Sequence, residues 1–403
     1  METARPFRRS PVHHLLQAAG ANFGSKMGWE RANFFARDGA EPTIEYTWGK
    51  PNWLSWSAAE QTNTRAGVTV FDQTSFSKYL MVGPDAEAAL QWLCAANVGV
   101  EIGRSVYTGM LNGRGTYESD VTVTRTGPEE FLIISSAATT ERDKDHIRKN
   151  MPDGAGATLV DVTSAYAVFG VMGPKSRALL SALTSADLSD KAFPFATSQQ
   201  ISLGYATVRA TRITYVGELG WELYVPAEFA VGVYEDLMEA GAQFGVARGG
   251  YYTIESLRLE KGYRAFGREL SPTDNPVEAG LLFACKLKTD IAFLGREAVE
   301  KAKAEGPRRK LVGFRVDAPE AMLWGGELIL RDGAVAGQVT SAAWGETTGS
   351  CVGLAYVRAS DNSVINADWV KAGNYEINVG GQLYPISVSL RPLYDPTNER
   401  IHP

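Results

Sequence analysis

The 403-residue chain is 44% hydrophobic and 21% charged, ordinary globular values that exclude a disordered chain. Its formal net charge is -6 and no long basic block occurs, which excludes nucleic acid as an expected partner. Three scattered cysteines (Cys94, Cys285, Cys351) exclude a disulfide framework and read as small buried hydrophobes; four histidines, mostly terminal, argue against a His-rich metal site, so no metal is expected.

The first residues are basic but lack a signal-length apolar run, and no stretch approaches 18 uninterrupted apolar residues. No membrane partner is expected, and the expected address is the cytoplasm. Trp48, Trp53 and Trp56 cluster early; they suit either core packing or a cation-friendly pocket. Residues 79–84 (YLMVGP) then run into a helical pattern, and 169–174 (FGVMGP) do the same. Proline suits a helix start because the amide it lacks would be unpaired there anyway. This echo predicts a duplicated α+β module. Residues 120–125 (DVTVTR) and 130–136 (EFLIISS) read as paired strands around Thr126-Gly127-Pro128.

Residues 212–226 (RITYVGELGWELYVP) read as two strands about a Gly-Glu-Leu-Gly turn. Alternation puts Trp221, Leu223 and Val225 on one face and Glu222 with Tyr224 on the other. An acid in so apolar a strand needs solvent or a partner, so Glu222 lies either on an exposed edge or in a cleft. Asp120 opens its strand after Gly113 to Ser119, either as a turn-capping carboxylate or as a cleft residue sharing a face with Thr122 and Thr124.

Phe229, Val233 and Leu237 form a helical stripe, 253–262 reads as a further helix, and 305–310 (EGPRRK) as a linker. Beyond it the texture is of short strands at 311–316, 327–331, 351–357, 375–379 and 382–390. Gly380-Gly381 supplies a hairpin turn between the last two. The last hundred residues therefore read as a small antiparallel barrel-like domain.

Several co-linear motifs resemble the glycine-cleavage T-protein (aminomethyltransferase) superfamily, most closely the folate-binding C-terminal half of dimethylglycine and sarcosine dehydrogenases and oxidases. They are FGSKMGWER (23–31), VFDQTSF (70–76), YTGMLN (107–112), SDVTV (119–123), 215–222, ESLRLEKG (255–262) and RPLYDP (391–396). The resemblance implies an α+β, three-domain aminomethyltransferase-like fold around a central channel, with two interwoven α+β subdomains in 1–304 and the barrel-like domain in 311–403. It implies tetrahydrofolate as cofactor. Glu222 matches the glutamate that grips the pterin, whose N–H and amino group a carboxylate can accept side by side. Asp120 matches the aspartate beside the folate nitrogens, where a fixed negative charge orients the amine and stabilises positive charge on the reacting carbon. Tyr107 and Tyr215 match folate-site tyrosines, Tyr215 with a catalytic role beside Asp120, and Tyr224 joins Tyr107 and Glu222 as cofactor-binding.

Two departures refine this. Where T-proteins begin a helix with Arg-Asp, this chain has Ile254-Glu255, which weakens a direct glycine-cleavage assignment; folate binding is not carried over to Arg258. No Gly-x-Gly-x-x-Gly turn opens the chain, so the flavin half of the dehydrogenases is expected to be absent. The Lys-Gly-Cys-Tyr-x-Gly-Gln-Glu signature of folate-binding iron–sulfur accessory relatives is absent too. The expected function is trapping the one-carbon unit of oxidative N-demethylation as 5,10-methylenetetrahydrofolate, with a separate flavoprotein or oxygenase as partner. The alternative is a stand-alone demethylase passing an intact methyl from a methylated small molecule (sulfonium, quaternary ammonium or aryl ether) to give 5-methyltetrahydrofolate.

Overall fold

A computed structural model describes residues 2–402. Helix α1 (His13–Ala18) leads into a hairpin, β1 (Ala21–Lys26) and β2 (Trp29–Phe35), then α2 (Leu54–Ala66) and β3 (Val68–Asp72). One module follows: β4 (Ser77–Val82), α3 (Ala86–Leu93), β5 (Ser105–Leu111), β6 (Tyr117–Gly127), β7 (Glu130–Ser135), α4 (Thr140–Asn150) and β8 (Thr158–Asp161). A second repeats the order: β9 (Tyr166–Met172), α5 (Ser176–Ser181), β10 (Ser198–Leu203), β11 (Ala206–Thr211), β12 (Gly220–Pro226), α6 (Ala230–Gly241) and β13 (Val246–Gly249).

The sheets match. The first runs β5-β6-β7-β4-β8 and the second β10-β11-β12-β9-β3-β13. They are the same order with β3 inserted between the last two strands. The strand–Gly-Pro–helix echo sits at the matching place in each. Gly83 (φ 127°) and Gly173 (φ 128°) adopt a backbone that L side chains rarely take. A Cβ there would meet Gly156 O at 2.2 Å and Gly67 O at 2.4 Å, so glycine is required twice for one reason.

Each sheet has an outer face under its own helices and an inner face toward the other sheet. Tyr79, Met81, Val121, Val123, Phe131 and Ile133 pack outward beneath α3 and α4. Val70, Phe169, Val171, Trp221, Leu223 and Val225 pack outward against α5 and α6. The inner faces meet where Leu132 and Ile134 of β7 touch Val168 and Tyr224, with Phe76, Leu80 and Tyr166 around them.

After α7 (Tyr251–Glu260) and α8 (Arg296–Glu305) the chain forms a closed barrel from β14 (Arg309–Val316), β15 (Leu328–Arg331), β16 (Ala334–Gly345), β17 (Ser350–Arg358), β18 (Tyr375–Val379) and β19 (Gln382–Ser389), with α9 (Ala367–Ala372) between β17 and β18. The barrel docks on α7 through Leu259, Leu311, Val352 and Leu354. Beside that contact, buried Glu269 accepts from Arg258 (2.8 Å), Thr340 (2.8 Å) and Ser341 (2.5 Å). Buried Glu60 ties α2 to two other elements, accepting from Phe35 N (2.8 Å), Gly250 N (2.9 Å) and Thr253 Oγ1 (2.6 Å).

Two expectations are corrected. Asp120 does not open its strand: β6 begins at Tyr117, because Tyr117 and Ser119 already pair with β5. Residues 212–216 are not a strand facing β12; β11 ends at Thr211 and 212–219 is a loop. The Thr214 hydroxyl accepts from the amides of Val216 (3.3 Å) and Gly217 (3.1 Å), which draws the backbone out of ladder pairing. Arg65 anchors the loop by bonding Val216 O at 2.6 Å and Glu218 at 3.2 Å.

Candidate functional site

The inner faces carry the polar groups. Glu222 pairs in register with Gly170, and Tyr224 with Val168, so both project inward while Trp221, Leu223 and Val225 fill the outer core. Glu222 is 5% exposed. Its Oε2 accepts from Tyr224 Oη at 2.6 Å, and its Oε1 finds no hydrogen-bond partner among the described residues. Burial pushes the carboxyl up to about 7, against the lowering effect of the Tyr224 hydroxyl. Tyr224 is raised well above the usual phenol range by burial and by the adjacent carboxylate.

Asp120 lies on the facing inner face. It pairs with Gly109, and Thr122 pairs with both Tyr107 and Ile134, which puts Asp120 and Tyr107 on the side where Ile134 meets Tyr224. Tyr107 Oη donates to Asp120 Oδ2 at 3.1 Å. Burial lifts Asp120 to about 6; the Tyr107 bond opposes this and the negative charge of Asp143 adds to it. Tyr107 is 37% exposed, the most open of these groups.

Tyr215 sits on the 212–219 loop and packs on Phe71, Met172, Ile254 and Leu257. Its hydroxyl donates to Arg264 O at 2.9 Å and its ring stacks on Tyr263 at 5.8 Å. Burial raises its pKa, and the charges of Asp120 and Glu255 act in the same direction. The structure thus makes two stations. The charge of Asp120 adds to the raised pKa of both Tyr107 and Tyr215, whereas Glu222 is raised by burial alone, with the Tyr224 hydroxyl opposing.

Ile254 is buried beside Tyr215 in an apolar cluster. Arg258 is held by the fold through its two terminal nitrogens, paired with Glu255 and with Glu269 and donating to Tyr263 O at 2.9 Å, while its buried Nε has no partner among the described residues. Trp53 and Trp56 stack on Phe34, while Trp48 is exposed. Three residues around the seam had no role assigned from sequence. Arg31 lies 3.7 Å over the Tyr251 ring, and Tyr251 Oη contacts Ser75 Oγ at 3.1 Å. Arg31 and Ser75 lie in the motifs 23–31 and 70–76, which were the available signal; Tyr251 lies in neither, and only the fold brings the three to one place.

The two matched sheets, their helices and the closed barrel make a fold of aminomethyltransferase type. Residues 12–289 match the model of the GCVT N-terminal domain and 309–395 that of the glycine cleavage T-protein C-terminal barrel domain, so the chain belongs to the glycine-cleavage T-protein family. It is 37% identical over 401 residues to 4-methylaminobutanoate oxidase (formaldehyde-forming) of Paenarthrobacter nicotinovorans, covering 100% of this chain and 48% of that protein. It is 35% identical over 435 residues to mitochondrial sarcosine dehydrogenase of Homo sapiens, covering 98% and 47%. The chain therefore spans about half the length of the curated relatives it matches. The crystal structure of the glycine cleavage system aminomethyltransferase T from Bartonella henselae has the same fold, with a TM-score of 0.81, 23% identity, and coverage of 96% of this chain and 98% of that one. Among the described residues no helix is long and apolar enough to cross a membrane.

Proposed function

We propose that this protein is a cytoplasmic tetrahydrofolate-dependent transferase that captures the one-carbon unit released by oxidative N-demethylation, yielding 5,10-methylenetetrahydrofolate. A separate flavoprotein or oxygenase would perform the oxidation. The observation that carries the reading is Glu222, a buried carboxylate with one oxygen unpartnered, facing the sheet that holds Asp120. The activity in the name of one relative, an oxidase that forms formaldehyde, supports the N-methyl origin of the carbon.

The residues present suit a folate. Glu222 would hold the pterin, because its Oε1 is free to accept an N–H while Oε2 is held by Tyr224. When bound, tetrahydrofolate supplies the two amine nitrogens that accept the one-carbon unit. Asp120 holds a negative charge above pH 6 beside Tyr107, which stabilises positive charge at the carbon being transferred. Tyr107 orients that carboxylate. Tyr215 and Tyr224 present aromatic surface that packs on the ligand and keeps water from the reacting carbon. Such a site needs positioning and electrostatics more than a covalent nucleophile.

The test is to incubate the protein with tetrahydrofolate and N-, S- and O-methylated compounds, with and without an oxidising partner or added formaldehyde, and to identify the folate product by mass spectrometry. Methylene-folate formed only with the oxidant, and faster than the uncatalysed condensation, is the expected result. Formation of 5-methyltetrahydrofolate by the protein alone would replace this reading with that of a direct demethylase.

A further inference from the structure

Gln73 follows the end of β3, where its amide donates to Val168 O at 2.8 Å. The residue is 3% exposed, and its side chain folds back over β9. Gln73 Oε1 lies 2.4 Å from where a Cβ on Gly170 would stand, so the carboxamide fills the space that this glycine leaves. Gly170 is the register partner of both Phe71 and Glu222. Directly opposed residues in an antiparallel pair project to the same side of the sheet. The carboxamide therefore sits on the inner face beside the Glu222 side chain.

Among the described residues nothing bonds to that carboxamide. Oε1 is buried without a partner, and no hydrogen bond of Nε2 is found among the described residues. The flanking Thr74 carries the local structure instead. It donates its amide to Asp72 Oδ1 at 3.1 Å, and its hydroxyl accepts from Val168 N at 3.1 Å. Methionine would fill the same volume without the desolvation penalty of a buried, unpaired amide.

We infer that Gln73 is a second ring-edge reader beside Glu222, accepting an N–H from the exocyclic amino group of a 2-amino-4-oxo pteridine. This rests on the folate reading. Such an edge offers a ring N–H and an amino group, three N–H bonds in all. Glu222 faces two of them with its two oxygens, one already shared with Tyr224, and the third requires another acceptor. Gln73 Oε1 is the buried acceptor placed there. Gly170 is then part of the specificity device, since its missing side chain is what admits the carboxamide.

The experiment measures, by calorimetry, the affinity of the intact protein for tetrahydrofolate and for p-aminobenzoylglutamate, which shares the tail but lacks the pteridine. Gln73→Met is expected to weaken tetrahydrofolate about tenfold and leave p-aminobenzoylglutamate unchanged. Gly170→Ala, which displaces the carboxamide without altering Gln73, should do the same, and the double variant should lose little more than either single one. Unchanged tetrahydrofolate binding in Gln73→Met, or equal weakening of both ligands, overturns the inference and leaves the folate reading intact. A wild-type protein that fails to bind tetrahydrofolate overturns the folate reading itself.

Discussion

Two carboxylate–tyrosine pairs face each other across the inner seam, and they are built differently. Glu222 and Tyr224 are two apart on one strand, so the pleat itself sets their 2.6 Å contact. Asp120 and Tyr107 lie on neighbouring strands in diagonal register, and their bond is 3.1 Å, with Tyr107 open to solvent. The first pair is buried and closely bonded, which suits the binding role proposed for it. The second is looser, and its carboxyl, which burial lifts to about 6, is mostly ionised at neutral pH. On the proposed reading, position and charge fall to different places in the molecule.

If that division holds, Asp120→Asn has the largest effect. It should lower kcat by about 10²–10³-fold while leaving tetrahydrofolate affinity nearly unchanged, read by single-turnover kinetics and calorimetry. Equal damage to affinity would erase the distinction between the pairs. Glu222→Ala should do the reverse, weakening tetrahydrofolate by about 10–100-fold with little change in kcat at saturation.

Glu222→Gln tests burial directly. In the unfolded chain this glutamate holds a proton only below about 4.5, but in the fold it does so up to about 7. The folded state therefore binds more protons between those values, and the stability from this group falls as pH rises through 7. The glutamine variant should be more stable than wild type by about 2 kcal/mol at pH 8 and should lose that advantage at pH 5, measured by denaturant unfolding. Equal stability at both pH values would mean that Glu222 is solvated.

The smallest effect is expected from Tyr107→Phe. Its hydrogen bond holds the Asp120 pKa down, so removing it should move the acid limb of the kcat profile upward from about 6 by less than one pH unit. An unmoved limb would detach Tyr107 from Asp120.

Much of this arrangement was legible in the sequence. Alternation around Trp221 separated Glu222 and Tyr224 from the core, and the Gly-Pro echo marked the repeated module. Strand β16 was missed because its sequence, AVAGQVTSAAWG, is small-residue rich and carries a register shift between Val339 and Ser341. The 212–216 segment misled because its apolar pattern is strand-like, while the side chain of Thr214 redirects the backbone. Gln73 was unreadable for a different reason: its meaning depends on Gly170, nearly a hundred residues later, and on Glu222 beyond that.

The insertion of β3 in the second sheet also has a consequence for how the chain is made. Val68, Val70 and Phe71 leave the ribosome about a hundred residues before β9, their first strand partner, and still further ahead of β13. At about 5–20 residues per second, that apolar strand waits roughly 5–20 s for its neighbour. The first module can pair its own strands during this interval. The second cannot close until both flanks of β3 have been synthesised, so the half that holds Glu222 is the later one to form and the more exposed to misassembly while it does.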